Sequence, residues 1–333
     1  VTAVSGTSIV TTVRDDREAL SELLGDLAAQ TVLPAELVVV DAGSTDGTLD
    51  LLAGWDGPFP LRTIEAPEAN ISEGRNIGIR AAAGDRIACT DAGCRPVPGW
   101  LEALDGAADA DLATGIYLVD GRTATERALA VSLYPAPDEI GDDSPLVALW
   151  QRLFGRRFEA DHATGRSMAF SKRAWEAAGG FPEDLYAGED VAFSQAIVAA
   201  GFEARLVPAA AVLWRPRRTW SSNARMYRSY ARGNVRVEGD FRRHLIRLGT
   251  WVGGPLLLWR GGLPGRLLAL AGAVAYVSLP LRRARRAGMP ASEWWRIPFA
   301  IALKDLSQLA GAAQGLGDRL RGARQPRADV RED

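Results

Sequence analysis

The chain has 333 residues, 47% apolar and 24% charged, enough to bury a large core and long enough for about two domains. The net charge of −2 conceals an asymmetry: residues 1–150 hold 9 Lys+Arg against 25 Asp+Glu, leaving 30 (39 minus 9) against 16 (41 minus 25) for the rest. The acidic first part argues against nucleic acid as its ligand, and the two cysteines, Cys89 and Cys94, exclude a disulfide scaffold and point to a reducing compartment.

The β-branched run Thr7–Val13 predicts a strand, and Arg17 to Gln30 a helix through Leu20, Leu23, Leu24 and Leu27. Leu37–Val40 is a short apolar strand of the kind buried on both faces. Ser44 or Thr45 can cap the next helix, with Asp46 in its first turn. Strands follow at Leu61–Ile64 and Arg86–Thr90, around a helix over Ile71–Ala83 that Gly84 closes. Another helix begins at Pro98–Leu104. Such alternation gives a mostly parallel sheet covered by helices. Asp91 stands just past an internal strand, where open α/β sheets bind ligands. Further on, Asp111–Val119 and Ser167–Ser171 read as strands, 124–158 as helices and mobile loop, Glu189–Ala200 as a helix, and Leu206–Val207 as a late strand.

After Gly239 the character changes. Leu245–Trp259 and Leu267–Leu281 are apolar segments bracketed by Arg242, Arg243, Arg260, Arg266, Arg282, Arg283, Arg285 and Arg286. Each falls short of the roughly 20 residues a spanning helix needs. The reading favoured is helices lying in or dipping into one leaflet, with Arg heads at the phosphates. Packing on the domain and true spanning are the alternatives. Trp294, Trp295 and Phe299 begin a further amphipathic stretch to Leu309, and residues 321–333 read as disordered. The N-terminus has no basic stretch before its short apolar run, so no secretory signal is expected.

Six motifs occur in order: Thr11-Thr12-Val13-Arg14; Val40-Asp41-Ala-Gly-Ser-Thr-Asp-Gly-Thr48; Gly74-Arg75-Asn76-Ile-Gly78; Thr90-Asp91-Ala-Gly-Cys94; Gly179-Gly-Phe181; and Gly188-Glu189-Asp190. Over residues 5–235 the chain resembles the family 2 glycosyltransferases of the GT-A fold, in its membrane-associated bacterial form. The resemblance implies an α/β Rossmann-like sheet flanked by helices, with a C-terminal amphipathic or hydrophobic helical tail. Together with the change of character after Gly239, it divides the chain into a nucleotide-sugar half (1–120), an acceptor-binding and catalytic half (121–238), a membrane-associated helical region (239–320) and a tail (321–333).

The resemblance also implies roles. Asp41 faces the base or ribose of the nucleotide, with Thr12 and Arg14 nearby. Arg75 holds phosphate or ribose, and Asn76 fixes the adjoining loop. Asp91 matches the first acid of an Asp-x-Asp motif that binds Mg²⁺ or Mn²⁺ on the donor diphosphate, but Gly93 stands where the second acid belongs. Arg217 or Arg218 could neutralise the diphosphate instead. Asp190 is the expected base toward an acceptor hydroxyl, with Glu189 orienting loop and acceptor. His162 precedes Gly165-Arg-Ser-Met-Ala169, near the acceptor side, and reads as structural or solvated. The expected function is inverting hexosyl transfer from a nucleotide sugar to a lipid-linked or polysaccharide acceptor at the cytoplasmic membrane face. The alternative is a catalytically impaired protein that binds a nucleotide sugar or a partner. A dinucleotide-dependent oxidoreductase fares worse, because no Gly-x-Gly-x-x-Gly follows the first strand.

Overall fold

The computed structural model describes residues 3–140, 144–155, 157–185, 187–237 and 242–321. The chain runs β1 (Ala3–Val4), β2 (Thr7–Val13), α1 (Arg17–Ala28), β3 (Val32–Leu33), β4 (Glu36–Asp41), α2 (Thr48–Ala53), β5 (Leu61–Glu65), α3 (Ile71–Ala81), β6 (Arg86–Cys89), β7 (Cys94–Pro96), α4 (Trp100–Asp105) and β8 (Leu112–Val119). It continues with α5 (Ala124–Leu133), α6 (Pro145–Leu153), β9 (Met168–Ser171), α7 (Lys172–Ala177), α8 (Glu189–Ala199), β10 (Ala204–Trp214), α9 (Trp220–Val237), α10 (Arg242–Leu248), α11 (Gly254–Arg260), α12 (Gly262–Arg286) and α13 (Arg296–Leu320). Two compact units form: residues 1–118 with 158–214, and residues 119–157 with 215–333.

The first unit holds an eight-stranded mixed sheet, ordered β5-β4-β2-β6-β9-β8-β10-β7. The four strands β5, β4, β2 and β6 run parallel; β9 lies antiparallel to both β6 and β8, and β7 antiparallel to β10. Leu37 to Val40 are all buried, which explains an apolar run without alternation: helices cover both faces of the parallel part. Behind the site Phe170, Phe181 and Phe193 form an aromatic core, with Phe181 and Phe193 stacked at 4.0 Å.

Two local expectations change. Ser44 and Thr45 do not cap α2, whose N-cap is Gly47. Their groups lace this loop to the one after β2: Asp15 N donates to Ser44 Oγ at 2.9 Å, and Thr45 N donates to Asp15 Oδ1 at 2.7 Å. Asp46 lies before the helix rather than in its first turn, and its carboxylate accepts from Arg17 N and Thr48 N. Gly84 does not close α3, which ends at the extended residue Ala82. A Cβ at Gly84 would stand 2.8 Å from both Gly6 O and Ser8 Oγ, so close approach to β2 accounts for the glycine.

In the second unit α13 crosses α9 closely. A Cβ on Gly311 or Gly315 would lie 2.1 or 2.5 Å from the carbonyl oxygens of Arg228 and Arg232. Arg228 Nε donates to Gln314 Oε1 at 2.8 Å alongside. Asp305 and the pair Glu139–Arg283 are buried charges: Asp305 accepts from Arg247, Trp251 and Tyr276, and Arg283 Nε donates to Glu139 Oε1 at 2.8 Å.

The first apolar segment, Leu245–Trp259, is divided between α10 and α11, and the second is longer than the sequence suggested. α12 runs 25 residues, through Arg266 and Arg282, because long Arg stems continue a helix while their heads stay in water. By length and composition it is the one helix among the described residues able to cross a bilayer, and 17% of its apolar window is buried. The expected disorder over 321–333 lies, but for Arg321, outside the described residues, as does part of the mobile loop expected within 124–158.

Candidate active site

The parallel strands deliver their C-terminal ends to one edge of the first unit. Asp41 ends β4 and is 1% exposed. Its Oδ1 accepts the N–H groups of Gly43 at 2.9 Å and Ser44 at 2.8 Å, whereas Oδ2 is buried without a partner. The hydroxyls of Thr11 on β2, Ser72 at the start of α3 and Thr90 after β6 share that state. Leaving a buried acceptor unmatched costs about 1–3 kcal/mol, so such atoms are natural places for a ligand's donors. In the strand order β4-β2-β6, the strands that lead to Asp41 and Asp91 lie two strand spacings apart, about 10 Å.

Arg75, on α3, is 3% exposed and stands between two acids. Nη2 donates to Asp91 Oδ1 at 2.8 Å, Nη1 to Glu189 Oε1 at 2.9 Å, and the guanidinium lies 5.2 Å from the Phe181 ring centre. Burial opposes charge on Arg75, but Asp91 and Glu189 outweigh it and hold the group protonated. Burial and the adjacent Asp190 push the Glu189 carboxyl up to about 7, against the pull of Arg75.

Glu189 and Asp190 open α8, after Gly188. Asp190 Oδ1 accepts from Val191 N at 2.8 Å and Oδ2 from Gly165 N at 3.1 Å. The carboxylate is thereby oriented while each oxygen keeps a lone pair for an incoming hydroxyl. Gly165 has no alternative at its position: a Cβ would fall 1.9 Å from Arg75 Nη2. One glycine therefore ties Arg75 to Asp190.

The remaining expected residues are placed as follows. Asn76 is buried and fully engaged: Nδ2 donates to Phe181 O and Glu183 Oε1, and Oδ1 accepts from Phe181 N and Trp175 Nε1. It fixes the loop ahead of Glu189. Thr12 turns its methyl toward α3 at Gly74, and Arg14 lies at the exposed rim, 3.6 Å from Glu68. Arg217 and Arg218 belong to the second unit. His162 stands 3.1 Å from Asp161 and 3.5 Å from Glu159, a partly exposed trio able to meet a cation. Burial raises the thiol pKa of Cys89 to about 12 and that of Cys94 further, so both are inert packing groups.

For a divalent cation the donor set at Asp91 is suitable. Arg75 engages Oδ1 and leaves Oδ2, and the side chain is 31% exposed. A Cβ on Gly93 would meet only Asp16 Oδ2, at 3.9 Å, so the place of a second acid is open and edged by another carboxylate. Hard oxygens of this kind hold Mg²⁺ or Mn²⁺ when phosphates and waters complete the shell.

Sequence reading missed Gly165, Thr11 and Thr90. Thr11 and Thr90 were within sight, as polar residues at the ends of buried strands. The role of Gly165 depends on a contact across 90 residues (165 minus 75).

Comparison with known proteins bears on the fold. Residues 8–137 match the model described as Glycosyl transferase family 2. Among solved structures, a mannosyltransferase from Pyrobaculum calidifontis, in complex with GDP-Man and Mn²⁺, matches at TM-score 0.55 and 18% identity, over 94% of this chain and 87% of that one. S. aureus TarS 1–349 matches at TM-score 0.48 and 16% identity, over 95% and 91%. No curated protein matches the chain. The fold is that of the GT-A glycosyltransferases.

Proposed function

With the family 2 glycosyltransferase signature over residues 8–137 as premise, we propose that the protein is an inverting hexosyltransferase using a nucleotide-sugar donor. The observation that carries this is the cluster Asp91–Arg75–Glu189, with Asp190 held beside it by Gly165, at the C-terminal edge of the parallel strands. The buried, unmatched Oδ2 of Asp41 supports a role in recognising N–H or O–H groups of base or ribose.

In the reaction, an acceptor hydroxyl gives its proton to Asp190 as its oxygen attacks the anomeric carbon. The bond from that carbon to the phosphate oxygen breaks on the opposite side, and nucleoside diphosphate leaves. Glu189 and Arg75 keep Asp190 and Asp91 in place, and Asn76 holds the loop that leads to them. Asp91 would hold a divalent cation, as the Mn²⁺ in the Pyrobaculum calidifontis complex suggests, and a bound cation would neutralise charge on the departing diphosphate.

The acceptor we propose is lipid-linked or polysaccharide, met at the cytoplasmic membrane face. Leu245, Leu248, Val252, Leu256 and Trp259 recur at helical spacing along α10, the π-helical turn Gly249–Gly253 and α11, and Leu263, Leu267, Leu270 and Val274 along α12, all exposed and flanked by Arg260 and Arg266. An apolar face edged by arginines suits the boundary of an anionic bilayer. A donor screen by product-nucleotide release, with membrane extract as acceptor, tests the proposal. Release from one nucleotide sugar, dependent on extract, is expected. Nucleotide binding without turnover would favour a binding protein lacking catalysis.

A further inference from the structure

Gly165 N donates to Asp190 Oδ2 at 3.1 Å, and that bond is only as well placed as the turn that carries Gly165. Thr164 and Ser167 pair to close this turn, and both are buried. Ser167 Oγ donates to Ala210 O at 2.8 Å and accepts from Trp100 Nε1 at 2.9 Å. Just upstream, Thr114 Oγ1 donates to Ala160 O at 2.6 Å. These anchors tie the turn to β8, β10 and α4, and not to α8, the helix that carries Asp190.

Ser194 supplies the link to α8. It lies four residues after Asp190, one helical turn on, so the two side chains share a face of the helix. Its Oγ accepts from Ala163 N at 3.3 Å. Its single proton is within reach of Asp161 O at 2.8 Å and of Val191 O at 2.9 Å, and with either carbonyl the bond from Ala163 stands. Asp190 and Ser194, four apart on the helix, thus receive Gly165 N–H and Ala163 N–H, two apart on the facing segment. Two attachments fix the register between helix and segment where one would let the segment pivot. Ser194 and Ala163 are both fully buried, so the Ala163 N–H has no water to turn to. Phe193 and Ile197 seat the same stretch of α8 in the core. The turn also matters to Arg75, because no Cβ fits between Gly165 and the guanidinium. A turn displaced by an ångström would therefore disturb both Asp190 and the arginine shared by Asp91 and Glu189.

We propose that Ser194 is a positioning residue for transfer. By holding Ala163 against α8 it sets the Gly165 turn, and through that turn the direction of the Asp190 carboxylate. The inference rests on the transfer reading above and adds a residue too deeply buried to meet substrate itself.

Steady-state transfer by the full chain tests it, with UDP- and GDP-linked hexoses as donors, membrane extract as acceptor and nucleotide release as the readout. In Ser194→Ala, kcat is expected to fall roughly 10- to 100-fold, the scale of loss when a reacting group is misplaced by about an ångström. The donor KM and the calorimetric affinity for UDP or GDP should stay as in the wild type. Ser194→Thr keeps the hydroxyl and should recover part of the rate. Leu27→Val, a buried change in α1, is the control for general loosening: it should lower Tm and leave kcat unchanged. Wild-type kcat in Ser194→Ala overturns the assignment. So does a loss of kcat that Leu27→Val matches, which marks a purely structural serine. If Ser194→Ala does not fold, Ser194→Cys, which keeps the size and weakens the acceptor, is read by the same outcomes. A wild-type protein that releases nucleotide from none of these donors refutes the transfer reading and the assignment with it, a result distinct from wild-type turnover that the variant retains.

Discussion

In the first unit the largest fully buried side chains are Trp100, Phe170, Phe181 and Phe193, and polar groups gather at one strand edge. In the second unit Leu263, Trp259 and Val274 are 71%, 70% and 66% exposed, while Arg283 and Asp305 are buried with their partners. The first distribution is the ordinary one of apolar groups inside, and the second reverses it. The contrast teaches that charge has different work in the two places. Around Arg75 buried charge gathers Asp91 and Glu189 at one strand edge, whereas around Asp305 and Glu139 it holds helices together whose outer faces are left apolar.

The largest expected effect tests the charged centre of the first unit. Arg75→Met leaves Asp91 and Glu189 without their counter-charge, and chemical denaturation should show a loss of about 3–5 kcal/mol. A smaller loss would mean that the acids relax into water and that the cluster is looser than its distances imply. The matching change in the second unit is the double variant Leu263→Asp, Leu267→Asp. Exposed positions of this kind move stability by about 0.5 kcal/mol or less. Co-sedimentation with anionic vesicles should nevertheless fall by roughly 100-fold or more, from two lost apolar insertions at about 1.5 kcal/mol or more each. Nucleotide affinity should stay as in the wild type. Undiminished vesicle binding would show that these faces meet something other than lipid.

Gly311→Ala probes packing within the second unit. Its Cβ would stand 2.1 Å from Arg228 O, and the helix pair must part at a cost of about 1–3 kcal/mol, readable as a lower Tm. The smallest effect is a pH trend. With Glu189 raised to about 7 from an ordinary 4.5, the folded state keeps a proton that the unfolded chain releases. Stability is therefore lost as pH rises from about 4.5 to about 7, and the cost is complete above that. Glu189→Gln lacks this loss, so its Tm relative to wild type should climb across the same window in ligand-free protein. A flat difference would place the Glu189 proton elsewhere.

Much of the first unit is legible from local pattern. Leu37–Val40 announces a buried strand without its neighbours, and Gly188-Glu189-Asp190 announces a helix start with two acids. What escapes is whatever depends on distant register. Nothing near Gly165 says that its α-carbon will rest on Arg75, and nothing near Arg166 says that Tyr117 and Trp214 will flank it. β10 runs Ala204–Trp214 although only Leu206 and Val207 look like strand, because Pro208 and three alanines dilute the pattern while sheet pairing supplies the rest. The length of α12 is hidden for a different reason: Arg266 and Arg282 read as ends, yet a charged head on a long stem does not interrupt a helix.

The central claim is that Asp190, held by the Gly165 amide beside the Arg75 cluster, removes the acceptor's proton. Single-turnover transfer by Asp190→Asn at saturating donor tests it most directly, with donor affinity measured on the same preparation. The account predicts unchanged donor affinity and transfer slowed by roughly 100-fold or more. Transfer at the wild-type rate would contradict it.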